Sequence, residues 1–257
     1  MLLRSVTKHV TDQNWFAVIL DLVIVVIGVF IGIEVSNWNT ERAGEEKAQV
    51  LIQRIYLDLS YENEVTTSLL KYHGVVRNYA VTAIDGFNGK KTVSDEQFVI
   101  AAYQTSQIND PWSYRSAYNE LLSTGQFDLI KSDELKSLIL GYYSDNWTEQ
   151  IELNTRAPYR AYIRGVIPFL IQDTIRSECG DIEVPVAQTF GFMLPDTCDL
   201  QLPDEVFSET AAYLRSQPDM LTNLQYQIAV HDSQVFTLVN FERESEKLMA
   251  TIQEFQQ

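Results

Sequence analysis

Phe16-Ala-Val-Ile-Leu-Asp21-Leu-Val-Ile-Val-Val-Ile-Gly28-Val-Phe-Ile-Gly32-Ile33 decides the architecture of this chain. It is an 18-residue stretch in which Asp21 is the sole charge. At about 1.5 Å per residue, Trp15 and Trp38 stand roughly 35 Å apart on a helix, one indole near each interface of a ~30 Å hydrocarbon layer. A secretory signal peptide is the main rival, because Arg4 and Lys8 precede the apolar run. Its apolar region would be too long, and no small-x-small cleavage site follows at a suitable distance. The stretch is therefore expected to be a transmembrane helix over residues 15–38, with a tail at 1–14 and a domain at 39–257.

The faces of this helix differ. At about 100° per residue, Gly28 and Gly32 fall within about 20° of Asp21, Val25 within about 40°, and Phe30 opposite. Gly28-Val-Phe-Ile-Gly32 has the GxxxG spacing that lets two membrane helices approach closely. Asp21, about 9 Å inside Trp15, is costly against lipid. Asp21, Val25, Gly28 and Gly32 thus define a face expected to pack on another transmembrane helix, from a second copy or another subunit. The alternative is that Asp21 is protonated or reaches the near headgroups.

The flanks nearly tie in positive charge, with Arg4 and Lys8 before the span and Arg42 and Lys47 after it. A short leading tail and a long trailing domain suit export of the C-terminal part, hence a bacterial inner-membrane protein with its domain in the periplasm. Cys179 and Cys198 point the same way, since disulfides persist in exported compartments. A bond between them and a pair of buried thiols both stay open.

The whole chain has 19 Lys and Arg against 35 Asp and Glu, a net charge of −16. Such a surface repels nucleic acid, whose phosphates require clustered cations, so no nucleic-acid partner is expected.

Beyond Asn39 the dominant period is helical. Leu51, Ile55, Leu59, Thr66, Leu69, His73, Val76, Ala80 and Ala83 recur at helical steps, which predicts one long helix over 41–85 leaving the membrane. Gly86 and Gly89 end it. Ser94-Asp-Glu-Gln97 has the form of a capping box for a helix to about Ile108. A third helix is expected over Ser113–Ser123, with Gly125 as its left-handed stop. Ser132 caps a fourth, carrying Leu135, Leu138, Ile139, Tyr142 and Tyr143 inward to about Arg156. Pro158 and Pro168 kink or restart the pattern. Residues 179–203 form an irregular excursion with room for a short β-hairpin. Pro218 opens a final helix whose apolar stripe reads Leu221, Leu224, Ile228, His231, Val235, Leu238, Met249 and Ile252. The fold class is all-α: one N-terminal transmembrane helix, then an antiparallel helical bundle with that insertion.

Val25-Val-Ile-Gly-Val-Phe-Ile-Gly-Ile-Glu-Val-Ser-Asn-Trp-Asn39 resembles the signature of an uncharacterised bacterial family of single-pass membrane proteins. There an apolar helix ends in Asn-Trp-Asn and an acidic residue stands at the place of Asp21. The stretch from Ala117 to Tyr143 resembles the family's other recurring block. The resemblance implies a membrane-anchored helical protein and brings no activity.

Chemical motifs are few. His9 lies in the tail, and His73 and His231 sit on apolar stripes, the usual place of core histidines; no Cys/His cluster offers a metal site. Ser68-Leu-Leu-Lys71 and Ser144-Asp145-Asn146 imitate the order of serine β-lactamase motifs. That chemistry also needs a later lysine-bearing strand, and the sole lysine beyond Asn146 is Lys247 in a helical context. Gly89-Lys90-Lys91-Thr92 lacks the first glycine of a phosphate-binding loop. Glu178, Asp181, Glu183, Asp196 and Asp199 show no calcium-loop spacing. No catalytic residue, metal or cofactor is expected.

Aromatic residues crowd the centre. Core packing accounts for most of them, but Trp112, Tyr114, Tyr118, Tyr142, Tyr143 and Trp147 could together line a groove. The leading expectation is a non-catalytic interaction protein that associates with a membrane complex or envelope partner. The alternative is a membrane-anchored ligand-binding or sensory domain built on that aromatic groove.

Overall fold

The structure is a computed structural model that describes residues 15–111, 113–144, 153–186 and 188–256. Its spine is α1, Trp15–Phe87, an unbroken helix of 73 residues and roughly 110 Å. Span and domain therefore share one helix, with no joint at residues 38–39. The domain's first buried residue, Ala48, lies about 15 Å along the helix from Trp38.

Every position of the expected inward stripe from Leu51 to Ala83 is buried. α1 stops where Gly89 turns left-handed, φ 69°. Just before that stop, Gly86 lets the chain turn against α2, Asp95–Gln104: a Cβ at Gly86 would lie 2.6 Å from that of Phe98. Ser94 and Gln97 complete the capping box at the start of α2. α2 is shorter than expected, because after Gln104 the chain turns through Thr105 and Ser106.

α3, Ser116–Ser123, begins three residues later than the sequence suggests and leads through Gly125, φ 74°, into a 3-10 turn at Gln126–Leu129. α4 is Asp133–Ser144, its first turn capped by Ser132 Oγ, which accepts from the Leu135 amide at 3.1 Å. The expected continuation over 145–152 lies outside the described residues. α5, Leu153–Val166, carries Pro158 within it, and Pro168 opens α6, Phe169–Cys179. β1, Ile182–Val186, and β2, Thr189–Met193, form an antiparallel hairpin. α7 is Asp204–Ser216 and α8 is Met220–Phe255. The chain is thus all-α with one small hairpin.

α8 runs back down α1, as contacts from Arg77–Asp232 to Tyr56–Gln253 require. Its buried face differs from the expected one. Gln227, Gln234 and Ser245 are buried, whereas Leu221, Ile228 and Val235 are half-buried flanks. The facing stretch of α1 is polar too: Thr66 and His73 are buried there, and the His73 ring meets that of His231 on α8. Buried polar groups need polar partners, so α8 turns its amides inward.

Apolar packing divides into two main clusters along α1. The one nearer the apolar stretch joins Leu51, Ile55 and Leu59 to α3, α4 and the end of α8 through Leu121, Ile139 and Ile252. The distal one joins Val76 and Ala83 to α2, α5, α6 and α7 through Phe98, Ile163, Ile175 and Phe207. A small group, Val65, Leu69 and Leu238, lies between them.

Candidate functional site

The sequence singles out the span first. None of its apolar window, mean hydropathy 2.5, is buried against the rest of the chain, which separates it from the core helix of a soluble protein. One helix is thus long and apolar enough to cross a membrane. Covering its Val, Leu, Ile and Phe side chains at ~1.5–3 kcal/mol each is worth on the order of 20 kcal/mol. Asp21 costs about 3 kcal/mol at the centre of a span, so it does not outweigh that gain. Gly28 and Gly32 are open: a Cβ at either meets no atom within 4 Å. Trp15 is the first residue of α1, and Trp38 is 59% exposed with the Arg42 guanidinium 5.7 Å from its ring.

Because α1 is unbroken, helical phase carries from the apolar stretch into the domain. At about 100° per residue, Glu46, Val50, Gln53 and Leu57 lie on the side of Asp21, Val25, Gly28 and Gly32. All four are exposed, Val50 at 60% and Leu57 at 43%. Ala48, Ile55 and Leu59, which face the bundle, lie on the opposite side. The domain therefore hangs from the bulky side of the span and leaves the small, polar side clear.

Of the aromatic residues, Tyr118, Tyr142 and Tyr143 pack on one another, and Tyr142 also borders a cleft with Phe236 and Phe241. Tyr118 and Tyr143 stack at 4.3 Å, Tyr142 meets Tyr143 edge-on at 5.1 Å and Phe241 at 5.6 Å. These three tyrosines are 8% exposed or less and fill the proximal core. Tyr114 lies beside Tyr61, ring centroids 6.3 Å apart. Trp112 and Trp147 lie outside the described residues. Rings of this size close on one another because their apolar area outweighs the cost of burying a phenol with a partner.

That partner was not foreseen. Glu62, 2% exposed, accepts from Tyr142 Oη at 2.5 Å, the Tyr114 amide at 2.5 Å and Ser113 Oγ at 2.9 Å. Burial raises its pKa, the three hydrogen bonds pull it down, and Asp58 one turn away raises it again. Burial likewise raises Asp58, against the attraction of Arg54. Desolvation, then Glu62, pushes Tyr142 far up, so it stays a neutral donor. The sequence held the signal: the inward stripe steps seven residues from Leu59 to Thr66, and Glu62 occupies the skipped core position.

Cys179 and Cys198 are disulfide-bonded, Cα–Cα 5.6 Å, at the foot of the hairpin. Of the acidic residues around them, Asp181 accepts from Tyr72 Oη at 2.8 Å. Tyr79 Oη donates to the Pro195 carbonyl at 2.7 Å, so both legs of the excursion are tied to α1. Ser68 and Lys71 lie beside this hairpin, away from Ser144 on α4. Among the described residues, no three His, Cys, Asp or Glu side chains gather as metal ligands would.

No protein-family model, no curated protein and no solved structure matches the chain.

Proposed function

We propose that this chain is a membrane-anchored, non-catalytic interaction protein of the bacterial cell envelope. Its span associates with another transmembrane helix through Asp21, Val25, Gly28 and Gly32. Its helical domain stands on the periplasmic side of the inner membrane. The observation that carries this reading is the shared phase along α1. The face that avoids lipid continues, uncovered, into the exposed side of the domain's own spine. A partner helix lying there meets no part of the bundle up to about Leu57. The disulfide supports the outward placement, since an oxidising compartment preserves it.

The test is purification in mild detergent, reading oligomeric state and co-purifying subunits. Asp21→Leu and Gly28→Leu are expected to remove a second copy or a stoichiometric membrane partner that the unmodified protein retains. An unmodified chain that is monomeric and alone, or variants that keep every associate, would sink the proposal.

A further inference from the structure

α5 carries Arg160 and Arg164 four residues apart, so both guanidiniums leave the same face of the helix, a spacing at which like charges repel. Both side chains are half-buried, and both reach across to the turn that ends α2. Arg160 donates to the Ser106 carbonyl at 2.6 Å. Arg164 donates to Ser106 Oγ at 3.2 Å and to Gln107 Oε1 at 2.9 Å. Gln107 is held in place by Gln104, which itself donates to the Cys179 carbonyl at 2.8 Å. All of these acceptors are neutral. Among the described residues neither guanidinium has a carboxylate within 4.0 Å, whereas Arg54, Arg77 and Arg215 each pair with one at 2.8 Å or less.

A third cation comes from α6. Arg176 is exposed, pairs with Asp173 at 3.0 Å and lies against Tyr103 Oη. Tyr103 is 0% exposed, and the Arg164 guanidinium covers its ring at 4.7 Å from the centroid. The Tyr103 hydroxyl is shut off from water and meets no acceptor. A buried phenol ordinarily finds one, because leaving it without costs its desolvation. Burial lowers the pKa of Arg164, and the charges of Arg160 and Arg176 press it down further. Asp181 offsets them from a distance while it accepts from Tyr72 Oη at 2.8 Å.

The groups that face one another here are donors: three guanidiniums and a hydroxyl. The chain holds 35 acidic residues against 19 Lys and Arg, yet none of the described carboxylates closes on Arg160 or Arg164. We propose that Arg160, Arg164, Arg176 and Tyr103 form a binding site for a small dianionic oxyanion, the phosphate group of a soluble molecule. Guanidinium forks match phosphate oxygens in pairs, and a dianion gains more from three cations than a carboxylate does. Arg176 is the open side of the site, and Tyr103 is its floor. On the reading of α1 as an anchor, Tyr72, which shares this network, lies about 50 Å along the helix from Trp38, beyond the reach of lipid headgroups. The site is independent of the transmembrane face, so either can fail without the other.

The experiment titrates inorganic phosphate into the full chain in mild detergent at constant ionic strength and follows the heat. Saturable binding is expected with Kd at or below about 1 mM, and acetate should bind about tenfold more weakly or worse. Tyr103→Phe should weaken phosphate by about tenfold without lowering the melting temperature, because the hydroxyl it removes has no partner in the unliganded fold. That combination separates ligation from packing. Arg176→Gln, at an exposed position, should weaken phosphate by a similar factor with an unchanged melting curve. Phosphate affinity should be equal in nanodiscs of neutral and of anionic lipid; a loss in anionic lipid would place headgroups in the site and overturn the assignment to a soluble molecule. Absent saturation, acetate binding as tightly as phosphate, or either variant binding phosphate as the unmodified protein does, overturns the proposal.

Discussion

His73 and His231, 158 residues apart in the chain, lie with ring centroids 5.7 Å apart, each 1% exposed, and mark where α1 and α8 cross the middle of the domain. Tyr72 meets the edge of the His73 ring at 5.9 Å, and the Thr105 carbonyl lies 3.5 Å from His231 Nε2. One helical turn along, Arg77 Nε pairs with Asp232 at 2.5 Å and fixes the same register from the outside. His73→Ala and His231→Ala should each cost about 2–4 kcal/mol, as loss of a buried ring does. Because the rings share a contact, the double variant should cost less than the sum by about 0.5–1 kcal/mol. Denaturant unfolding of the four species gives the coupling; strict additivity would separate the two rings energetically.

Glu62 sets a pH dependence of definite sign. Its folded-state pKa lies above the unfolded value of 4.5, chiefly through burial. The folded state thus holds a proton the unfolded chain has already released. The contribution is fully present below the unfolded pKa and is lost as pH rises through the folded one. Compared with Glu62→Gln, the unmodified protein should lose stability across that window. Parallel stability–pH curves for the two proteins would show that Glu62 carries no such burden.

Two glycines of α1 should respond to alanine with opposite signs. At Gly74 a Cβ meets nothing within 4 Å, so Gly74→Ala gains about 0.5–1 kcal/mol from reduced freedom of the unfolded chain. At Gly86 the new methyl would drive into Phe98, and a loss of about 1–3 kcal/mol is expected. Thermal unfolding of both variants checks the contrast. Equal shifts would mean that α2 does not press on α1 at Gly86.

The disulfide closes a loop with a sequence separation of 19 residues. Cys179→Ser with Cys198→Ser should cost about 3 kcal/mol by freeing the unfolded chain. Hydrogen exchange should rise first at the hairpin and α6, which the bond joins, and least in the cluster around Ile139. A uniform rise would show one cooperative unit instead of two clusters on a shared spine.

Much of the frame was legible along the chain. Ser94 and Gln97, Ser132 and the left-handed Gly89 and Gly125 act within a few residues, so their neighbours suffice to place helix ends. The core of α1 followed from periodicity because one face of a long helix meets the bundle throughout. The face of α8 did not, since polar Gln227, Gln234 and Ser245 are buried there and an apolar stripe leaves them out. The tyrosines needed the structure for a related reason: composition shows that rings cluster, whereas only packing shows that Tyr118 and Tyr143 stack.

By itself the sequence determined a helix long and apolar enough to cross a membrane, the helical class and the small, polar face of Asp21, Gly28 and Gly32. These follow from side chains measured against a solvent, and no distant residue is needed. Tertiary structure alone decided that this face continues, exposed, along α1 as far as Leu57, that Glu62 is a buried acceptor and that His73 meets His231. It also set the hairpin against α1, with a groove between them. Each depends on the helical phase carried over some tens of residues, or on contacts between segments far apart in the chain, which no local pattern encodes.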